Sequence, residues 1–386
     1  MKIQIGMIEP PYKMGGAAAR WYSVLVRELL AQGHELRVFA TSTNPRHSEA
    51  ALADFLHSPR LRLNIFPRNE RRTWTERIRH ALRPYSYHFS SDFLHEWKKS
   101  LSDFNPEFLH LEQLWSTWLM PRGWENRTLI NIHHLISIDL GERPRGVRRL
   151  FRTEKQLVRR GVHFRVCSPR LSPFIRRWNP RAVIAEIPIG FDANLYPIRT
   201  SDGPDNTHPT LTVIGSMGWF PSRSAAERLI TQILPRVQKE IPLARAQIVG
   251  WEARTRLAEH ALNPDVELIE NVPDPIPYFQ KTDAFVYAPA RGSGMKIKIL
   301  EALALGIPIV TTSEGVEGLG TTRVDQIRTG ESDDEIARAV IEVLRSPDAR
   351  ATLRAEGRKL IERVCSPVST VAAIRNLYMT MKEKQT

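Results

Sequence analysis

Residues 288–319, APARGSGMKIKILEALALGIPIVTTSEGVEGL, read as a loop, a helix, a buried strand and a second glycine loop. The apolar, aromatic run Ala284–Ala288 just before them suits a buried strand. Arg291, Gly292, Ser293 and Gly294 then supply flexible backbone whose N–H groups can turn toward an anion. A helix opening at about Met295 aims its positive dipole end at the same spot. Lys296 and Lys298 fall on its first turns, and Lys298 shares a face with Glu301, three residues on. A cation and a carboxylate together at a helix start suit a nucleotide, with phosphate on the lysine and amides and ribose hydroxyls on the glutamate. The alternative is an exposed pair contributing about 0.2–0.5 kcal/mol. The apolar run Ala302–Leu305 directly after the pair favours the ligand reading. Gly306-Ile307-Pro308 ends the helix, and Ile307–Val310 is the next strand.

Strands and helices alternate outward from this stretch. In the N-terminal half, Ile3–Ile8 is a strand, followed by a Pro/Gly loop and a helix over about Ala17–Gln32. Gly33 stops that helix and His34–Ala40 is a second strand. Phe108–Leu111, Thr128–Ile132 and Val162–Cys167 are further strands. The pattern restarts with strands at Leu211–Gly215, Ala246–Gly250 and Val266–Ile269. Such alternation predicts parallel sheets covered by helices, with ligands beyond the carboxyl ends of the strands. The expected fold is α/β, in two Rossmann-like doubly wound domains. Residues 1–190 form the first and 209–365 the second. Residues 191–208, with Pro197, Gly203 and Pro204, form the linker, and 366–386 a last helix.

The 386 residues suit two domains. Cys167 and Cys365 are the two cysteines, too few and too far apart for a disulfide framework or a cysteine metal site. Met1–Ile8 is too short an apolar run for a signal peptide, and no run of about 20 apolar residues suggests a membrane span. A cytoplasmic protein is expected, peripheral to a membrane at most. The net charge of +13 is uneven: residues 1–200 hold 32 Lys/Arg against 18 Asp/Glu, and residues 201–386 hold 23 against 24. Eight arginines lie between Arg60 and Arg83, and twelve basic residues between Arg145 and Arg181. Trp74, Ile78, Leu82 and Tyr85 interleave with Arg71, Arg72, Arg77, Arg79 and Arg83, as in an interfacial helix. Solvated helix faces are the plainer alternative. No nucleic-acid fold signature accompanies the arginines, so nucleic acid is not an expected partner.

The stretch GSGMKIKILEALALGIPIV resembles the nucleotide-sugar-binding signature of retaining GT-B glycosyltransferases, the "group 1" or family 4 class, in the branch written GSGM-x-x-K-x-LEA. The resemblance implies a GT-B fold, its two domains facing across a cleft, with acceptor on the N-terminal side and donor on the C-terminal side. The last helix would cross back to the first domain. The wider class carries a first glutamate eight positions before the second. Glu301 matches the second, and Ser293 stands at the first. The resemblance places Arg291, Gly292, Ser293, Gly294, Lys296, Lys298 and Glu301 on the donor, with Glu317 in the second glycine loop and Gly250 and Val272 by the nucleobase. It places Gly15, Gly16 and His133 at the cleft, His133 following the strand Leu129–Ile132. His133, Lys298 and Glu301 are the catalytic candidates.

The implied activity is transfer of a sugar from a nucleotide-diphosphate sugar to a glycan or lipid-linked acceptor, with retention, in cell-surface polysaccharide or glycoconjugate synthesis. The co-substrate is the nucleotide sugar. No Asp-X-Asp motif occurs, so no metal cofactor is expected. An anionic membrane surface is an expected partner of the basic N-terminal half. A non-catalytic nucleotide-sugar or glycan-binding protein on the same scaffold is the alternative, supported by Ser293. A Rossmann dehydrogenase is disfavoured because no G-x-G-x-x-G follows the first strand.

Overall fold

The computed structural model describes residues 1–68, 73–83, 86–140, 146–199, 208–321 and 323–383. The chain packs as two compact units. The first runs to Ser137, resumes after the break and ends at Phe191, then takes Cys365 onward. The second is Asp192–Val364, joined by the short segment that starts at Ile138.

The first unit is a parallel sheet of β1 (Lys2–Met7), β2 (Glu35–Ser42), β3 (Leu61–Pro67), β4 (Phe108–Glu112), β5 (Thr128–Ile132), β6 (His163–Val166) and β7 (Val183–Glu186). Their order is β3-β2-β1-β4-β5-β6-β7. Every residue of β4, β5 and β6 is buried. A strand reads that way only when both faces of its sheet are covered. The chain steps outward from β1 to β3 and then returns to β4 on the other side of β1. The β1/β4 gap is therefore the switch point of this sheet. Helix Ala17–Ala31 fills its inner face with Trp21, Val24, Leu25 and Leu29, at helical spacing. The last helix, Pro367–Glu383, packs on this unit with Val371, Ile374 and Tyr378 buried.

The second unit has β8 (Thr210–Ile214), β9 (Arg245–Gly250), β10 (Val266–Glu270), β11 (Ala284–Tyr287), β12 (Ile309–Thr311) and β13 (Arg328–Thr329). These are parallel in the order β10-β9-β8-β11-β12-β13, with the switch point between β8 and β11. Helix Asp333–Arg345 starts on a capping box between Ser332 and Glu335, which satisfies two of its otherwise unpaired N–H groups.

Three local expectations shift. The helix after the glycine loop runs Ile297–Leu305 and leaves Lys296 outside it in extended backbone. The following strand begins at Ile309, because Ile307 N–H closes the helix on the Ala302 carbonyl. Asp192–Arg199, expected in the linker, belongs to the second unit, while 200–207 lie outside the described residues. Helix Trp74–Leu82 forms as an amphipathic segment with Trp74, Ile78 and Leu82 exposed. Arg71, Arg72 and Tyr85 and the Arg79 side chain lie outside the described residues. Among the described residues no helix is long and apolar enough to cross a membrane.

Candidate functional site

In the second unit the loops that leave β8 and β11 flank the switch point, where an open parallel sheet takes its ligand. Gly215 closes β8. A Cβ there would fall 2.7 Å from Lys298 Nζ and 2.9 Å from Ser222 Oγ, so the ammonium occupies space that only glycine leaves. Gly250, at the end of β9, has φ +142° and its Cβ would fall 1.9 Å from the Gly215 carbonyl oxygen. Its task is to let the two strand ends touch. Val272 lies half-buried two residues past β10.

Lys298 Nζ donates to Ser222 Oγ at 2.6 Å and lies 3.5 Å from Tyr287 Oη and 4.5 Å above that ring's centre. Burial, helped by the nearby charge of Lys296 and opposed by Glu301, lowers its pKa from the ordinary lysine value to about 7. It makes no ion pair among the described residues. Glu301, buried on the same face, accepts from Tyr196 Oη at 3.4 Å. A half-buried ammonium beside flexible glycine backbone is arranged to meet an anion.

Lys296 differs from the expectation of a first-turn residue. Its Nζ pairs with Glu317 Oε2 at 3.1 Å and donates to the Gly294 carbonyl at 2.5 Å, all buried. Lys296 and Glu317 therefore brace the glycine loop through each other. Gly294 itself sits at φ +74°. Arg291 is exposed, its guanidinium 5.8 Å from the Phe220 ring centre, and Gly292 is buried against Lys296.

Ser293 has a partner that the local sequence did not announce. Its Oγ donates to Asp139 Oδ1 at 2.6 Å. Asp139 is 2% exposed, and burial lifts its carboxyl to about 7, against the hydrogen bond from Ser293 and the charge of Lys296. The loop that lacks an acid at position 293 thus has one hydrogen-bonded to that position. Asp139, Ser222 and Tyr287 were all missed, because their partners lie 154, 76 and 11 residues away.

In the first unit Glu112 ends β4 and His133 follows β5, at the carboxyl edge beside the switch point. His133 Nε2 lies 2.6 Å from Glu112 Oε2. Trp21 Nε1 donates to Oε1 at 3.0 Å, and Asn131 Nδ2 donates to both oxygens at 2.8 Å. His110 Nε2 is 2.9 Å from Oε1, and His110 Nδ1 is 2.5 Å from Tyr378 Oη on the last helix. Arg165 Nη1 donates to Asn131 Oδ1 at 2.8 Å, and its guanidinium lies 4.8 Å from a Trp21 ring centre. Burial alone would raise the Glu112 carboxyl, but the hydrogen bonds and charges of His110 and His133 outweigh it and hold it well below the usual range. Burial lowers His133, partly opposed by Glu112. An ionised Glu112 accepting at His133 Nε2 fixes the proton on that nitrogen and leaves Nδ1 as the acceptor. Glu112 is the residue that orients His133.

Gly15 and Gly16 sit at the start of helix Ala17–Ala31, with Gly16 as its N-cap. A Cβ on Gly15 would fall 2.7 Å from Ala19 Cβ, and one on Gly16 would fall 3.5 Å from Glu9 Oε2. Glu9 is half-buried; desolvation raises its pKa, against the charge of Arg68 and the hydrogen bond it accepts from the Ala19 backbone. This helix start is already served by a carboxyl group of its own unit. Among the described residues no cluster of three His, Cys, Asp or Glu could hold a metal.

The family model described as "Glycosyl transferases group 1" matches residues 208–346, which lie within the second unit. CapM of Staphylococcus aureus, a capsular polysaccharide biosynthesis glycosyltransferase, is 28% identical over 187 residues, which is 45% of this chain and 47% of CapM. The match thus spans about half the length of that relative. Among solved structures, sucrose-phosphate synthase from Thermosynechococcus elongatus superposes with TM-score 0.74 at 17% identity, covering 99% of each chain. HepE of Anabaena, solved with UDP and glucose, gives 0.68 at 13% identity, covering 98% of this chain and 100% of that one. S. aureus TarM, in complex with fondaparinux, α-GlcNAc-glycerol and UDP, gives 0.66 at 11%, covering 98% and 100%. The likeness is one of fold. The two parallel-sheet, Rossmann-like units share the fold of these neighbours, which are GT-B glycosyltransferases.

Proposed function

We propose that this chain is a retaining glycosyltransferase that takes a nucleotide-diphosphate sugar and delivers the sugar to a glycan or lipid-linked acceptor. The observation that carries the reading is Lys298: an ammonium with a lowered pKa, beside a glycine loop, at the switch point of the second sheet. Loss of a diphosphate leaving group builds negative charge, and a preorganised cation in a partly desolvated site stabilises that charge more than water does. Lys298 and the amides of residues 292–294 meet the diphosphate. Glu301 takes ribose hydroxyls. Asp139 provides, through Ser293, the carboxyl group that the loop lacks, and faces the donor sugar. That contact weakens the alternative of a binding-only protein, which rested on Ser293.

The first unit receives the acceptor, with His133 held in one tautomer by Glu112. Front-face attack with retention follows if the departing phosphate takes the acceptor proton, since among the described residues no pair of carboxylates is set as acid and nucleophile. The charge is met by Lys298 and backbone amides, so transfer is expected to persist in EDTA. The UDP in HepE and TarM and the polysaccharide role of CapM support a nucleoside-diphosphate donor and a cell-surface glycan product. The protein works in the cytoplasm.

The test is release of nucleoside diphosphate from a panel of UDP-, GDP- and ADP-sugars, with and without polyprenyl-diphosphate-linked saccharides. The wild type should turn over one donor, and Lys298→Ala should lose at least about 100-fold of kcat, as for removal of one preorganised donor at a developing oxyanion. Full activity in Lys298→Ala would refute the assignment.

A further inference from the structure

Away from the candidate site, the two arginine-rich stretches of the sequence converge. Arg149, in helix Gly146–Arg160, donates through Nη2 to the Ala81 carbonyl of helix Trp74–Leu82. Nearby is a pocket of about 750 Å³ whose wall carries Arg83, Arg122, Arg159, Arg160 and Arg181, with Glu125 as its one acid. Arg122 and Glu125 precede β5, Arg160 precedes β6 and Arg181 precedes β7. The pocket therefore opens at the amino ends of these strands. His133 follows the carboxyl end of β5, five strand residues away, or roughly 16 Å at about 3.3 Å per residue. The pocket and the Glu112–His133 network occupy opposite edges of one sheet.

The arginines are partly fixed in advance. Trp118 has the Arg83 and Arg160 guanidinium groups 5.6 Å and 5.4 Å from its ring centre. Arg160 Nη2 donates to the Met120 carbonyl at 3.1 Å, and Arg159 Nε to the Trp178 carbonyl at 3.2 Å. None of the five makes an ion pair among the described residues. Burial lowers the Arg160 pKa, and the charges of Arg83 and Arg122 add to this against Glu125. Arginine does not shed its proton to relieve such crowding, so the pocket keeps a net positive charge, five guanidinium groups against the one carboxylate of Glu125. Guanidinium forks match the oxygens of phosphate groups.

We propose that this pocket binds a phosphate or diphosphate group, at a site distinct from the Lys298 loop. The group comes either from a soluble metabolite or from an anionic lipid headgroup. Exposed Leu82 in the pocket wall, with exposed Ile78 and Trp74 on the same helix, suits the second source. The site stands independently of the reading of the second unit.

Equilibrium dialysis of labelled inorganic pyrophosphate against the full chain tests it. The wild type should bind two equivalents. Arg122→Ala/Arg181→Ala, which alters two exposed side chains, should lose one of them, with affinity at least about tenfold weaker. Lys298→Ala should lose the other. Equal binding by wild type and the Arg122/Arg181 double variant overturns the pocket without touching the Lys298 assignment; loss only in the double variant keeps the pocket and removes Lys298. Arg122→Glu and Arg181→Glu carry the same expectation singly should the double variant fail to fold. Sedimentation with phosphatidylglycerol-containing against pure phosphatidylcholine vesicles assigns the source. Loss of vesicle binding along with pyrophosphate identifies a headgroup, and pyrophosphate loss with vesicle binding unchanged identifies a soluble anion.

Discussion

Lys298 and Asp139 are ionisable groups whose burial sets them near neutrality, one from above and one from below. A lysine at about 7 is mostly neutral in the free protein at pH 8, and an arriving diphosphate should restore its charge. Nucleoside diphosphate binding at pH 8 is therefore expected to take up close to one proton, measured by calorimetry in buffers of different ionisation heat. Lys298→Met should abolish the uptake; uptake unchanged in that variant would contradict the assignment. Asp139 gives the opposite stability profile. Its folded pKa is raised, so its contribution is fully present below the unfolded value near 3.8 and is lost as pH climbs through about 7. Asp139→Asn should gain stability relative to wild type between pH 5 and 8, by up to a few kcal/mol, read from denaturant midpoints. A difference that is flat with pH would show that the carboxyl is not held in this way. Lys298 and Glu301 were legible in the sequence because one helix turn joins them. Asp139, Ser222 and Glu112 were not, because an isolated polar residue carries no local mark of the partner that folding brings to it.

At the scale of elements, the glycine loop shows why a motif predicts position better than geometry. Helical periodicity put Lys296 on the first turn. Its side chain instead closes on the Gly294 carbonyl and Glu317, which holds its backbone extended and delays the helix to Ile297. Burial of two charges together favours that local closure over one more helical residue. Gly250 and Gly215 form the other device, in which two strand ends meet closer than any side chain allows. Gly250→Ala would force its Cβ into the Gly215 carbonyl at a φ that alanine avoids. It is expected to cost at least about 2 kcal/mol in urea unfolding and to weaken nucleotide binding with it. A loss below about 0.5 kcal/mol would mean that the strand ends separate easily.

Across the whole molecule, parallel strands and covering helices were legible because buried parallel strands read as short apolar runs at regular intervals. The last helix illustrates a limit. Its apolar spacing marks it as packed, but its polar tie, Tyr378 to His110 and on to Glu112, spans 268 residues. Tyr378→Phe should keep the shape and lose the hydrogen bond, destabilising the first unit by about 1 kcal/mol or more, since it leaves His110 short of a buried partner. An unchanged melting temperature would place no weight on that tie. The uneven charge of the sequence became specific only when two distant arginine stretches met at one pocket. For the second unit, the sharpest measurement is a crystal of the protein soaked with UDP or GDP. The diphosphate should lie beyond the ends of β8 and β11, with an oxygen about 3 Å from Lys298 Nζ; a diphosphate bound elsewhere, with Lys298 still on Ser222 and Tyr287, would contradict the assignment.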